Sequence, residues 1–173
     1  MPPNDRDFDR EHTDIETLVR DEPKGHKHQL RLWLRLLSCT NLVTAEIRQR
    51  LRTEFEFTLP RFDLMAQLDR EPNGLRLSEL SKRMMVTNGN LTGLVDRLIE
   101  EGYVRRVDDP SDGRASVVRL TKSGSDTFKK LASAHEAWLA SLFDGLTESA
   151  VERLMSDLGT LKRSVVEFGV AYE

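Results

Sequence analysis

The sequence predicts a mainly α-helical protein that carries one small β-hairpin. Three observations lead there. Long stretches at about residues 24–57 and from Thr121 onward repeat apolar residues at the i, i+3, i+4, i+7 spacing of a helix face. Between them lie two shorter helical patterns separated only by Met85-Val86-Thr87. Directly after these, Val104-Arg105-Arg106-Val107 and Ser116-Val117-Val118-Arg119-Leu120 flank a loop rich in Pro, Asp and Gly, which reads as a hairpin. The order is helix, tight turn, helix, hairpin.

Taken in order, residues 1–22 read as a flexible acidic N-terminal arm with Pro2, Pro3 and few apolar side chains. The first long helix carries Leu30, Trp33, Leu34 and Leu37 at helical spacing, widened by Leu32 and Leu36. So broad a stripe needs burial beyond what its own domain supplies. Pro60 suits the first turn of a second helix that runs through Leu68, and Asn73-Gly74 signals a turn. Ser78 to Met84 forms a short helix with Leu77, Leu80 and Met84 as its apolar positions. Thr87 is a suitable N-cap for the next helix, whose stripe is Leu91, Leu94, Val95 and Leu98. Gly102 can adopt the left-handed conformation that closes it. The helix from Thr121 continues through Phe128, Leu131, Ala132, His135, Trp138, Leu139, Leu142 and Phe143 until Gly145. Thr147 caps a last helix with Val151, Leu154, Met155, Leu158, Leu161, Val165 and Phe168 on one face.

With 173 residues, of which 38% are hydrophobic, the chain is long enough for a substantial core and too apolar for disorder. No run approaches the roughly 18 consecutive apolar residues of a membrane span, and the acidic amino terminus lacks a secretory signal, so a cytoplasmic protein without a membrane partner is expected. The single cysteine, Cys39, excludes an internal disulfide framework and a multi-cysteine zinc site. The net charge of −3 is unevenly spread: −5 over residues 1–22, +3 over 23–80, +2 over 81–122 and −3 over 123–173. A basic middle between acidic ends can hold a polyanion-binding face, although biases this small also arise from ordinary surface scatter.

The helix after the tight turn gives that middle its meaning. A second helix presented in this way lets side chains enter a DNA major groove. With its leucines inward, Asn88, Gly89, Asn90, Thr92, Gly93 and Arg97 lie on or beside the outer face. Asn pairs bidentately with adenine, and Thr reaches phosphate, base edge or thymine methyl. Two glycines within a helix cost roughly 1 kcal/mol each relative to alanine, and close approach to a partner would account for them. In the hairpin, Arg114 follows Gly113 near the tip, where an arginine suits a narrow, electronegative minor groove, and Asp112 is placed to orient it. Arg105, Arg106 and Arg119 add charge to the ribbon. An ordinary solvated helix face and an edge hairpin kept soluble by charge are the bland readings of the same residues.

The segment LSELSKRMMVTNGNLTGLVDRLIEEGYVRRVDDPSDGRASVVRLTKSG resembles the winged helix–turn–helix core of the MarR family of bacterial transcription regulators. The LTGLVDRL helix, the EEGYVRR lead into the wing, the DxR at Asp112–Arg114 and the LTxxG opening of the next helix occur in order, and the likeness covers about residues 26–170. It implies a mainly α fold: a winged helix–turn–helix DNA-binding domain at 58–120, with a small β-hairpin wing, and a helical dimerisation region at 23–57 and 121–173. The resemblance implies that Thr87, Asn88, Asn90 and Thr92 approach the major groove. Arg97 would support the helix or touch backbone, and Arg114 would enter the minor groove, with Asp112 bracing the wing. It makes Trp138, Leu142, Phe143, Val165 and Phe168 candidate dimer residues.

The resemblance further implies a repressor that binds a pseudo-palindromic operator of double-stranded DNA as a homodimer and is released by a small ligand, with no cofactor. LRLWLRLLSC is similar to the subgroup controlling aromatic-acid catabolism, so the effector expected is a small aromatic acid or its acyl-CoA thioester. Arg31 and Arg35, one helical turn apart beside Trp33, are the candidate effector residues, able to bind a carboxylate or phosphate. Solvated or acid-paired arginines are the alternative. Cys39 offers redox sensing as another mode of control, against the commoner role of a buried small hydrophobe. His26 and His28 point to different sides of a helix, and His12 and His135 lie far from them, so no metal site is expected. No catalytic motif stands out, so an enzyme is not expected. A winged helix used only for protein contacts would not need the exposed Asn/Thr face and the tip arginine.

Overall fold

The computed structural model describes residues 28–109 and 112–170; the acidic arm and His26 lie outside them. Six helices and one hairpin follow in the order α1 (His28–Phe55), α2 (Leu59–Asp69), α3 (Leu77–Met84), α4 (Asn88–Glu100), β1 (Val104–Asp109), β2 (Asp112–Leu120), α5 (Lys122–Leu142) and α6 (Glu148–Val170). The mainly α expectation with a β-hairpin wing holds. Two compact units divide within α5, between Ala132 and Ser133.

In the first unit, α1 ends two residues earlier than its pattern suggests. Glu56 takes a left-handed backbone (φ 53°), which turns the chain so that Phe57 is buried instead of extending the helix. Pro60 sits in the first turn of α2, where its missing N–H costs nothing. From α2 the core receives Leu64, Met65 and Leu68, from α3 Leu80, and from α4 Leu91, Val95 and Leu98, all buried. Val104 and Val118 of the hairpin and Phe128 and Leu131 of α5 complete it. Phe62 meets Phe128 with ring centroids 5.5 Å apart, and Phe57 meets Tyr103 edge-on at 6.0 Å. Of the apolar stripe on α1, only Ile47 and Leu51 are buried, while Leu30, Leu32 and Trp33 face solvent. Cys39 is exposed as well, which corrects the expectation of a buried small hydrophobe.

Three features fix the wing. β1 and β2 pair antiparallel from Val104↔Leu120 to Asp108↔Ser116, and then Asp109 pairs with Asp112. Leu75, after the Gly74 turn (φ 84°), exchanges both backbone hydrogen bonds with Val118, at 3.1 and 2.8 Å. At the base, the Thr121 hydroxyl lies 2.7 Å from the Gly102 carbonyl and accepts the Gly124 N–H at 2.9 Å, while the Thr121 N–H donates to the Tyr103 carbonyl at 3.0 Å. Gly124 is obligatory here: a Cβ would sit 1.9 Å from the Tyr103 carbonyl oxygen.

The second unit holds the end of α5 and all of α6. The Thr147 hydroxyl accepts the Ala150 N–H at 3.3 Å, the expected cap. The apolar stripe of α6 is exposed through Leu154, Met155, Leu158, Leu161, Val165 and Phe168. Of the candidate dimer residues, Leu142, Phe143, Val165 and Phe168 are exposed, but Trp138 is only 6% exposed and belongs to the interior of the chain. Its large ring is satisfied within one protomer, which removes it from that set. No helix among the described residues is long and apolar enough to cross a membrane.

Candidate nucleic-acid interface

The turn between α3 and α4 is held from both sides by Ser81. Its hydroxyl donates to the Val86 carbonyl at 2.6 Å, and its own carbonyl accepts the Val86 N–H at 3.2 Å. Met85 closes α3 in a left-handed conformation (φ 53°, ψ 39°), a position that glycine would fill without strain. Thr87 occupies the N-cap of α4 with an extended backbone, but its side chain makes no capping hydrogen bond, contrary to the expectation. An exposed Thr87 hydroxyl is therefore not committed to the helix end.

Beyond the cap, α4 presents two different faces. Leu91, Val95 and Leu98 are wholly buried, while Gly89, Asn90, Thr92, Gly93 and Arg97 are exposed. The Asn88 side chain lies outside the described part of the structure. A Cβ added at Gly89 or Gly93 would meet nothing within 4 Å, so neither glycine is required by packing inside the chain. Their effect is to thin the outer face so that another backbone or a base edge can come close.

Two acidic groups near this face are paired with arginines, a feature that sequence reasoning missed. Asp96 on α4 is paired by Arg106 of β1, Nη2 to Oδ1 2.7 Å, which ties the helix to the wing. At the other end, Glu101 accepts from Arg61 of α2 and faces Arg97 Nε at 3.4 Å. Arg61 is 8% exposed, its guanidinium stacks 3.9 Å from the Phe57 ring centroid, and its Nε has no hydrogen-bond partner. Nothing in the local pattern announces such a long-range pair; only a buried arginine on an otherwise apolar helix face could have hinted at it. On α3, Arg83 is bridged by Glu71 at 3.0 Å and Glu79 at 2.7 Å, and hydrogen bonding to these carboxylates raises its pKa further.

In the wing, Arg119 donates to the Asn73 carbonyl at 2.7 Å and so serves the fold, while Arg105 remains exposed. The strands run farther than the sequence pattern suggests. Between the Asp108↔Ser116 and Asp109↔Asp112 pairs, β2 holds three extra residues, Gly113, Arg114 and Ala115. Arg114 is the middle residue of this bulge. The side chains of Asp112 and Arg114, and residues Pro110 and Ser111, lie outside what the structure describes. The suggested bracing of Arg114 by Asp112 is therefore not among the described contacts.

The effector candidates are less convergent. Arg31, Trp33 and Arg35 are all on α1, and all are exposed. Arg31 and Arg35 share a face, but residues two apart differ by about 200° around a helix, so Trp33 lies on the opposite side and walls neither arginine. Among the described residues no group of three His, Cys, Asp or Glu side chains could hold a metal ion.

The MarR family profile matches residues 57–116, which spans α2, the helix–turn–helix and the wing. A solved MarR family transcriptional regulator from Silicibacter pomeroyi is similar over 83% of this chain and 99% of its own, with 35% identity and a TM-score of 0.70. The transcriptional activatory protein BadR of Rhodopseudomonas palustris is 33% identical over 104 residues, 59% of each chain. CouR from Rhodococcus jostii RHA1, solved bound to p-coumaroyl-CoA, shares the fold at 19% identity and a TM-score of 0.68, over 80% of this chain and 95% of its own. The first two of these are transcription regulators, not enzymes. A thin polar helix face beside a basic wing, at the place where the family profile matches, fits that company, and the chain belongs to the MarR family of transcription regulators.

Proposed function

We propose that this protein is a ligand-released repressor that binds a pseudo-palindromic operator as a homodimer. In this reading α4 of each protomer enters successive major grooves, with half-site centres about 10 bp apart. Asn90 and Thr92 contact base edges, Thr87, Asn88 and Arg97 approach base edge or backbone, and Arg114, with Asp112, serves the minor groove. The observation that carries the reading is the outer face of α4, where Asn90 stands between two exposed glycines that the chain's own packing does not use. The exposed apolar stripe of α6 supports a dimer, because a lone chain would leave it in water. The domain division follows: 58–120 binds DNA, while 23–57 and 121–173 supply the dimer contacts.

For the effector we propose a small aromatic acid or its CoA thioester, bound through Arg31 and Arg35; Trp33, on the other side of α1, can join it only from a second protomer. Support comes from the BadR resemblance and from the p-coumaroyl-CoA held by CouR. BadR is an activatory protein, which favours activation as a second reading of the direction of control. Redox release through Cys39 is a further alternative that its exposed thiol permits. The test is titration onto the DNA upstream of its own gene at several salt concentrations. A steep negative salt slope is expected, with Asn90→Ala and Arg114→Ala each weakening binding and aromatic acids or their thioesters releasing it. Equal affinity for random DNA would refute the operator reading. Release by peroxide in the wild type but not in Cys39→Ser would replace the ligand with an oxidant.

A further inference from the structure

Met85 is the most exposed large apolar side chain among the described residues, at 94%. It also holds a left-handed backbone, which a side chain adopts at a cost and glycine does not. Neither property serves the fold. The turn is already fixed by Ser81 through its two contacts with Val86, and the Met85 N–H completes it by donating to the Lys82 carbonyl at 3.3 Å. A glycine or asparagine would make the same turn with less strain and without an apolar side chain in water. What distinguishes Met85 is its place. It stands two residues before the N-cap Thr87, at the end of α4 where the exposed face of Gly89, Asn90, Thr92 and Gly93 begins.

We infer that Met85 is a DNA-contacting residue that lays its thioether chain against an apolar patch of the operator at the rim of the groove. This inference rests on α4 being the groove-entering helix. Methionine suits the role because it is unbranched and flexible and packs against surfaces of irregular shape. Two surfaces of DNA share the required chemistry, a thymine methyl in the major groove and the face of a deoxyribose.

The probe is a duplex selected by the wild-type protein from a randomised pool. Met85→Gly and Met85→Asn are expected to leave the melting temperature unchanged or raised, yet to weaken binding about tenfold or more, since one desolvated thioether chain is lost at each half-site. Met85→Leu is expected to restore most of the affinity. Replacing thymine by deoxyuridine in the duplex separates the sources. If the substitution weakens the wild type but not Met85→Gly, the contact is a thymine methyl; if both respond alike, it is deoxyribose. Wild-type affinity in Met85→Gly while Asn90→Ala weakens binding would overturn the inference and leave the groove reading intact, as would a loss in Met85→Leu equal to that in Met85→Gly. Unchanged affinity in both Met85→Gly and Asn90→Ala would overturn the groove reading itself.

Discussion

Replacing Gly124 by alanine tests how tightly the wing is seated on α5. Alanine is favoured over glycine inside a helix by about 1 kcal/mol, so propensity alone predicts a gain. Geometry predicts the opposite. The new Cβ would lie 1.9 Å from the Tyr103 carbonyl oxygen, 2.8 Å from its carbon and 3.1 Å from its Cα, all backbone atoms that no rotamer change can clear. Either the first turn of α5 or the start of β1 must move. Overpacking of this kind costs about 1–3 kcal/mol, and more where backbone must shift. The Tyr103 carbonyl also accepts the Thr121 N–H, whose loss adds about 1 kcal/mol. Set against the propensity gain, the net is a destabilisation of about 1–3 kcal/mol, or roughly 2–12 °C in melting temperature for a chain of this size. The assay is urea denaturation followed by circular dichroism at matched protomer concentration, since association shifts apparent stability. A variant as stable as the wild type, or more so, would refute the close approach.

Two ion pairs on either side of α4 should behave differently. Glu101→Gln leaves the Arg61 guanidinium, with its side chain 10% exposed, without a counter-charge, and about 2–3 kcal/mol should be lost in denaturation. Asp96→Asn breaks a pair in which both partners are about half exposed and should cost under about 1 kcal/mol, so equal losses would contradict the contrast in burial. Arg83 provides a pH test. Its folded pKa is raised by Glu71 and Glu79, so its contribution is fully present below the range where unfolded arginine titrates and fades only as pH rises through the higher folded value. Arg83→Ala should therefore lower stability by the same amount at pH 7 and pH 9; a difference between the two would point to another titrating group.

Periodicity made the helices legible because each spans enough turns for its stripe to repeat, and Gly102 marked the end of α4 through the positive φ of 76° that it adopts. Boundaries governed by tertiary contact were less visible. Phe57 continues the helical pattern of α1, yet the left-handed Glu56 diverts it into the core, where it stacks on Arg61. The strands outran their β-type residues because the ladder continues past Val107 to the Asp108↔Ser116 pair and, after a shift in register, to Asp109↔Asp112. The polar face of α4 could be read from spacing alone, since burying Leu91, Val95 and Leu98 dictates which side remains outside. The Arg61–Glu101 pair could not, because 40 residues separate partners that only folding brings together. Trp138 and Cys39 differ from their expected exposure for the same reason: a stripe wider than one interface does not say which part meets its own chain.

Thr121 clamps both ends of the hairpin at one point, and this makes the wing a lever. From Val104 to Asp109 the paired ribbon reaches about 17 Å at about 3.4 Å per residue. A tilt of only 10° at the Thr121 clamp would carry its far end about 3 Å, a whole hydrogen-bond length. Small rotations of α5, whose first turn Thr121 caps, are thus amplified along the wing, and its far end can be displaced by a whole hydrogen-bond length without any element unfolding.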